Sequence, residues 1–149
     1  MDTVKQILNP MQSTQKGLTD FTYLLTLADG DPDFLKEMMG LFLKRVPGNL
    51  DELQLATEYS EWEEVYKLTH SLKSSVNFMG IYSIKELVLE VEHMAQERRE
   101  CEKIPGMVNR IVTVCKQVVE EIRLKKHQLE LGELRKEKQV RLNKEETNV

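Results

Sequence analysis

The segment LTHSLKSSVNFMG contains one histidine, His70, among residues that can neutralise and hydrogen-bond an anion. A neutral imidazole is a good nucleophile near pH 7. Lys67 and Lys73 lie within one helical turn of it and can neutralise a dianionic group that arrives on the ring. Ser74 and Asn77 can donate hydrogen bonds to the oxygens of such a group. Together these residue types favour a side chain that carries a phosphoryl group.

This chemistry requires His70 to face water, and the spacing of the apolar residues predicts that it does. At about 100° per residue, the core-facing positions of this segment fall on one side of a helix. They are Trp62, Val65, Thr69, Leu72, Val76 and Met79. His70 lies roughly 140° from the middle of that stripe, by the same step. An ordinary surface histidine would have the same position, so exposure alone does not establish the chemistry.

Turn residues divide the chain into helical segments. Asp31 is expected to cap a helix that has Pro32 at its first position, and Gly80 is expected to end the helix that carries His70. The other signals are a bend or interruption of the second helix, two capping boxes that open the third and fourth helices, and a turn before the last helix. In the same order, the residues that give these signals are Pro47–Gly48, Ser60 with Glu63, Ser83 with Glu86, and Pro105–Gly106.

The helical segments and short connections predict an all-α fold. We expect an antiparallel up-and-down four-helix bundle with an additional N-terminal helix and a long C-terminal helical extension. Residues 1–17 are interpreted as an N-terminal arm and residues 18–124 as the bundle. Residues 125–149 are interpreted as a charged tail, helical or disordered, because the apolar stripe stops at its first two lysines. A coiled coil that binds a partner is the alternative for this tail.

The composition limits the partners that the chain can have. With 40% hydrophobic and 31% charged residues and a net charge of −4, no positive field attracts nucleic acid or an anionic membrane. No apolar run approaches the roughly 20 residues of a membrane span. Cys101 and Cys115 lack the spacing of a zinc site or a disulfide framework, which favours a reducing compartment. We therefore expect a cytoplasmic monomer that binds neither nucleic acid nor membrane.

The run HSLKSS that begins at His70, followed by Gly80 and then by LVLEVE, resembles the histidine-containing phosphotransfer (HPt) domains of bacterial phosphorelays. In that family a helix with a Leu-Glu pair follows, which Leu89-Glu90 matches. Upstream, GDPDFLKEMMGLFLKRVPGNLDELQLA is similar to the family's second helix. The resemblance covers about residues 18–124, and its specificity lies in the joint spacing of these motifs.

The resemblance implies that His70 is the phosphorylated residue and that Lys73 stabilises the phosphoryl oxygens. Many members have glycine four residues after the histidine, where this chain has Ser74. The family exchanges phosphoryl groups with receiver domains of response regulators and acts beside sensor histidine kinases, some of them hybrid. The resemblance therefore implies a phosphocarrier without kinase activity, which binds no cofactor of its own. We expect the receiver domain to supply the Mg²⁺ that phosphoryl transfer uses.

A receiver domain must dock beside His70, so we expect exposed apolar residues near it. The apolar residues of the second helix spread over about 200°, which is too wide for one core stripe. Exposed apolar patches usually mark interfaces, and methionine suits a surface that accepts several partners. The docking candidates are Phe34, Met38, Met39, Phe42, Tyr66 and Phe78. Each of these residues can also be explained by packing in the core.

Three other functions compete with this interpretation. A histidine kinase is disfavoured because the chain has no glycine-rich ATP-binding segment and because Ser71, not an acidic residue, follows the histidine. A metal-binding bundle would need recurring Glu-x-x-His pairs, but only Glu90 with His93 has that spacing, and His127 lies in the charged tail. The third alternative is a bundle that binds receiver domains as a scaffold without carrying phosphate.

Overall fold

A computed structural model describes residues 17–147 of the chain. The expected N-terminal arm, apart from Gly17, and the last two residues of the tail lie outside the described residues. Within residues 17–147 all regular structure is helical, so the prediction of an all-α fold is confirmed. Among these helices, none combines the length and the apolarity that a bilayer span requires.

The described chain contains five α-helices. They are α1 (Thr22–Ala28), α2 (Pro32–Glu58), α3 (Trp62–Met79), α4 (Tyr82–Glu97) and α5 (Ile104–Thr147), and a short 3₁₀ helix (Cys101–Lys103) precedes α5. The main contacts join α3 to α4, α2 to α5, α2 to α3 and α4 to α5, whereas α1 lies against α2 and α3. All five helices contribute side chains to one continuous apolar core.

Two of the predicted helix boundaries are confirmed. The Asp31 side chain accepts hydrogen bonds from the backbone N–H groups of Asp33 and Phe34, and Pro32 is the first residue of α2. Gly80 ends α3 in the left-handed conformation, with φ of 60°. Each residue supplies what its position requires, a side-chain acceptor at the N-terminus and freedom from a Cβ at the C-terminus.

The second helix is not interrupted at Pro47–Gly48, although an interruption was one of the two predicted outcomes there. α2 continues as a single helix through Pro47 and Gly48. Proline removes one backbone hydrogen bond from a helix. Val46 and Leu50, on either side of the Pro-Gly pair, are buried in the core, and this packing keeps the two halves of α2 in one helix.

The two capping boxes and the Pro-Gly turn are also wrong. Ser60 has a φ of 55°, outside the extended conformation of an N-cap, and no side chain caps α3. α4 begins at Tyr82, before the predicted cap, because the preceding residue, Ile81, is fully buried and anchors the connection. The turn before α5 lies earlier than expected, so Pro105 occupies the first turn of α5, where its missing N–H costs nothing.

The charged tail is helical as far as the structure describes it, which is one of its two expected forms. α5 runs without a break to Thr147, and its last buried residue is Leu129. Glu133 forms an ion pair with Lys36 near the start of α2. From residue 134 to residue 146 every side chain is exposed, so this part of α5 extends past the start of α2.

Gly80 also allows the chain before α1 to cross the end of α3. The backbone N–H of Asp20 donates to the carbonyls of Met79 and Gly80, at 3.1 and 3.2 Å. A Cβ on Gly80 would lie 2.1 Å from the carbonyl oxygen of Asp20. The close approach and the positive φ therefore both require glycine at this position.

We expect Gly80→Ala to lower the free energy of unfolding by more than about 2 kcal/mol, because the left-handed conformation and the contact with Asp20 are both penalised. Gly48→Ala is the matched control. A Cβ there meets nothing within 4 Å, so this variant should gain about 0.5–1 kcal/mol. Urea unfolding followed by circular dichroism measures both. Equal shifts in the two variants would contradict the special role of Gly80.

Candidate functional site

His70 lies on the exposed face of α3, as the helical wheel predicts. Val65, Thr69, Leu72 and the other stripe residues of α3 are buried, except for Trp62, which is half-buried against the core. The His70 side chain is 61% exposed. The hydroxyl of Thr69 donates to the carbonyl of Val65 at 2.8 Å, which satisfies the one polar group on the buried face.

A buried carboxylate on α4 holds both His70 and Lys73. Glu92 is only 7% exposed. The Lys73 ammonium donates to Glu92 Oε1 at 3.0 Å and lies 3.0 Å from Oε2. His70 Nδ1 lies 3.4 Å from Oε1. In the tautomer that carries its proton on Nδ1, the ring donates to Glu92, and Nε2 keeps the lone pair that a nucleophile needs.

The electrostatics of this cluster favour an ionised Glu92. Burial by itself raises the pKa of Glu92. The hydrogen bonds and charges of Lys73 and His70 act in the opposite direction and prevail, so the pKa lies below its ordinary value. The second oxygen, Oε2, is buried and accepts no well-aligned hydrogen bond from the described residues, although it lies within ion-pair distance of Lys73. Lys73 therefore provides most of the positive charge that offsets the burial of this carboxylate.

Glu92 is not among the residues predicted from the sequence. The family resemblance indicates Leu89-Glu90 on this helix, and the structure places Glu90 at the surface. A signal for Glu92 was present, because it falls among the buried positions Val88, Val91 and Ala95 of α4. A carboxylate within an apolar stripe is rarely buried without a partner.

The other proposed phosphoryl-binding residues flank His70. Ser74 and Asn77 are exposed and line a surface groove of about 430 Å³ together with Tyr23, Phe78, Tyr82 and Lys85. Lys67 is exposed one turn before His70. Lys73 and His70 are therefore joined through a shared carboxylate on α4. Ser74 and Asn77 line the groove that residues of α1 and α4 form with α3.

Two of the six docking candidates lie beside this site. Tyr66 is half-buried, with its ring centroid 5.9 Å from that of His70. Phe78 is half-buried and has its ring 5.8 Å from that of Tyr23 in the groove. The exposed rings of Tyr23 and Tyr82 extend this aromatic surface. The sequence pattern did not indicate these two residues, because only the packing of α1 and α4 against α3 brings them to the groove.

The prediction of exposed apolar residues on the second helix is wrong for two of its four candidates. Met39 is 0% and Phe42 is 4% exposed, so both are core residues. Phe34 and Met38 are half-buried against the core and do not line the groove. Much of the wide apolar arc of α2 is buried because α2 packs against α3 and α5, and also against α1, rather than against a single helix.

The remaining reactive side chains are dispersed. His93 and His127 are both exposed. Within residues 17–147 no three histidine, cysteine or acidic side chains are close enough together to hold a metal ion. Cys115 is buried, and burial raises the pKa of its thiol to about 12, so it is not a nucleophile near neutral pH.

Comparison with known proteins identifies one family. The sequence model of the Hpt domain family matches residues 37–123, which is more than half of the chain. The matched region includes most of α2, all of α3 and α4, and the first part of α5. A search of curated proteins and a search of solved structures found no match.

We expect Glu92→Gln to lower the free energy of unfolding by about 1–3 kcal/mol at neutral pH, because it removes the charge that Lys73 and His70 share. The folded-state pKa of Glu92 is lowered, so its contribution is complete above the ordinary carboxyl pKa and is lost as the pH falls through the lowered value. The difference between variant and wild type should therefore shrink in acid.

Urea unfolding at constant ionic strength, from neutral pH to about pH 3, measures this difference. Glu90→Gln, which changes an exposed carboxylate on the same helix, is the control and should have little effect at any pH. A Glu92→Gln deficit that stays constant or grows in acid would show that packing, not charge, accounts for it.

Proposed function

The chain belongs to the Hpt domain family, and from this membership we propose that it is a phosphorelay intermediate with His70 as its phosphoacceptor. Its general function is phosphotransfer within a phosphorelay. The proposal adds that His70 accepts the phosphoryl group from a phospho-aspartate of one receiver domain and passes it to an aspartate of another. The observation that carries it is an exposed imidazole held through Nδ1 by a buried carboxylate, with Lys73 on the same carboxylate.

In the accepting step the Nε2 lone pair of His70 attacks phosphorus. An N–P bond forms, and the P–O bond to the donor aspartate breaks, with its electron pair remaining on the carboxylate. The proton on Nδ1 stays on the ring, and Glu92 stabilises the imidazolium because it lies beside that atom. In the second step a carboxylate of the acceptor receiver attacks the same phosphorus, and His70 leaves as a neutral imidazole.

Lys73 changes partners during this cycle. Before transfer its ammonium is paired with Glu92, at 3.0 Å. A phosphoryl group on the neighbouring ring adds negative charge and strong acceptor oxygens within reach of the flexible lysine side chain. Ser74, Asn77 and Lys67 are the further candidates for these oxygens. Lys73 therefore offsets the repulsion that a dianion would otherwise experience from Glu92.

The chain needs partners to complete the reaction. We expect the receiver domain to bring Mg²⁺, and a sensor histidine kinase, free-standing or hybrid, to feed the relay in the cytoplasm. The aromatic groove of Tyr23, Phe78 and Tyr82 begins one turn from His70 and is the surface that we propose for receiver docking. Aromatic side chains with polar neighbours are common in the energetic centres of such interfaces.

Incubation with a phosphorylated receiver domain and Mg²⁺ should label the wild-type chain with acid-labile, base-stable phosphate. His70→Gln should abolish the label because no nucleophile remains at the site. His93→Gln is the matched control, since it removes another exposed histidine, and it should be labelled as the wild type is. Label that persists in His70→Gln would show that His70 is not the phosphoacceptor. Absence of label with several receivers would favour the scaffold alternative.

Lys73→Ala should slow phosphoryl transfer by about 10- to 100-fold, because it removes a preorganised cation from the site. Lys67 is as far from His70 in sequence as Lys73 is, but its side chain is exposed. Lys67→Ala should therefore slow transfer by no more than about threefold. Rapid-quench kinetics with one phosphorylated receiver measure both rates. Equal effects of the two variants would contradict the specific role given to Lys73.

A further inference from the structure

A second groove lies where α2 ends and α3 begins. It measures about 390 Å³, and the residues that line it include two exposed apolar side chains, Leu55 and Tyr59, which are 56% and 68% exposed. Every charged residue that lines it is acidic. The residues that define this acidic groove are Glu52, Leu55, Tyr59, Glu61, Glu64 and Leu68. Its chemistry suits a cationic helix with apolar side chains.

The exposed end of α5 has that chemistry. Residues 134–142, LRKEKQVRL, here called the basic tail, contain four cations and one carboxylate, and all are exposed. At about 100° per residue, one face of this helix carries two leucines among three of the cations. In order around the helix, that face consists of Arg141, Leu134, Lys138, Leu142 and Arg135.

Within one molecule the basic tail cannot reach the acidic groove. The ion pair between Lys36 and Glu133 shows that the tail begins beside the start of α2. Gly40 lies near Lys126 and Lys36 pairs with Glu133, so α5 runs towards the start of α2 and then continues past it. The acidic groove lies towards the other end of α2. Leu55 is about 29 Å from Lys36 along this helix, at about 1.5 Å per residue.

We propose that the basic tail of one copy of this chain binds in the acidic groove of a second copy. Leu134 and Leu142 are about 12 Å apart along the tail, roughly two turns on one helix face, which suits a groove that exposes Leu55 and Tyr59. The cations of the tail face then meet the carboxylates of the groove rim. A short helix without tertiary contacts is marginal in water, and this docking supplies the missing contacts.

This interaction differs from the expected monomer and does not depend on the proposed function of His70. Because the tail and the groove lie at opposite ends, the contact is head-to-tail, and each copy can engage two others. The association should grow with protein concentration and should weaken with added salt, since exposed charges contribute to it.

The test uses two variants of the full chain, each of which removes one surface. The groove variant carries Glu52→Lys and Leu55→Lys, and the tail variant carries Lys138→Glu and Arg141→Glu, all at exposed positions. Wild type should sediment above the mass of one chain at low salt, and each variant alone should be a monomer. An equimolar mixture of the two should form a 1:1 complex with the mass of two chains, because each supplies the surface that the other lacks.

A control variant with Glu37→Lys and Leu41→Lys makes the same residue changes at exposed positions earlier on α2 and should associate as wild type does. Circular dichroism establishes that all variants are folded. Wild type that stays monomeric at high concentration in low salt would overturn the proposal. Association retained by the groove variant but lost by the tail variant would also overturn it, in favour of tail-to-tail pairing.

Discussion

The geometry of the site depends on the requirement that a buried carboxylate keep its partners. Glu92 faces the seam between α3 and α4, and an ionised carboxylate in that position is costly unless cations compensate it. Lys73 supplies most of that compensation, and His70 lies at the edge of the same carboxylate. The contact that allows Glu92 to be buried therefore also orients the imidazole that we propose as the nucleophile. In that proposal, stability and phosphoryl transfer rely on the same hydrogen bonds.

The surrounding helices hold this seam in register. α3 ends at Gly80, where the absence of a Cβ allows the backbone of Asp20 to cross. This crossing places α1, and with it Tyr23, beside Phe78. A glycine about three turns from His70 therefore shapes the groove in which we propose that a receiver domain docks. The surface is built by backbone packing as much as by its aromatic side chains.

Local sequence patterns predicted the helices better than their ends. The cap at Asp31 and the stop at Gly80 were predictable because each requires a residue type that few positions accept. Pro47 did not break α2, because buried side chains on both sides of it hold the helix together. The two serine capping boxes failed because the packing of neighbouring residues, such as the buried Ile81, decided where the helices begin. Tertiary contacts outweighed weaker local preferences at each of these positions.

The sequence by itself determined the all-α fold, the exposed face of His70, and the position of Lys73 one turn away, because helical periodicity relates residues only within a few turns. Only the tertiary structure decided that Glu92, 22 residues from His70 in sequence, completes the cluster. It also decided that Met39 and Phe42 are buried, since the number of helices that α2 contacts cannot be read from its own pattern. These relations arise from packing between helices, which depends on the whole bundle rather than on any one segment.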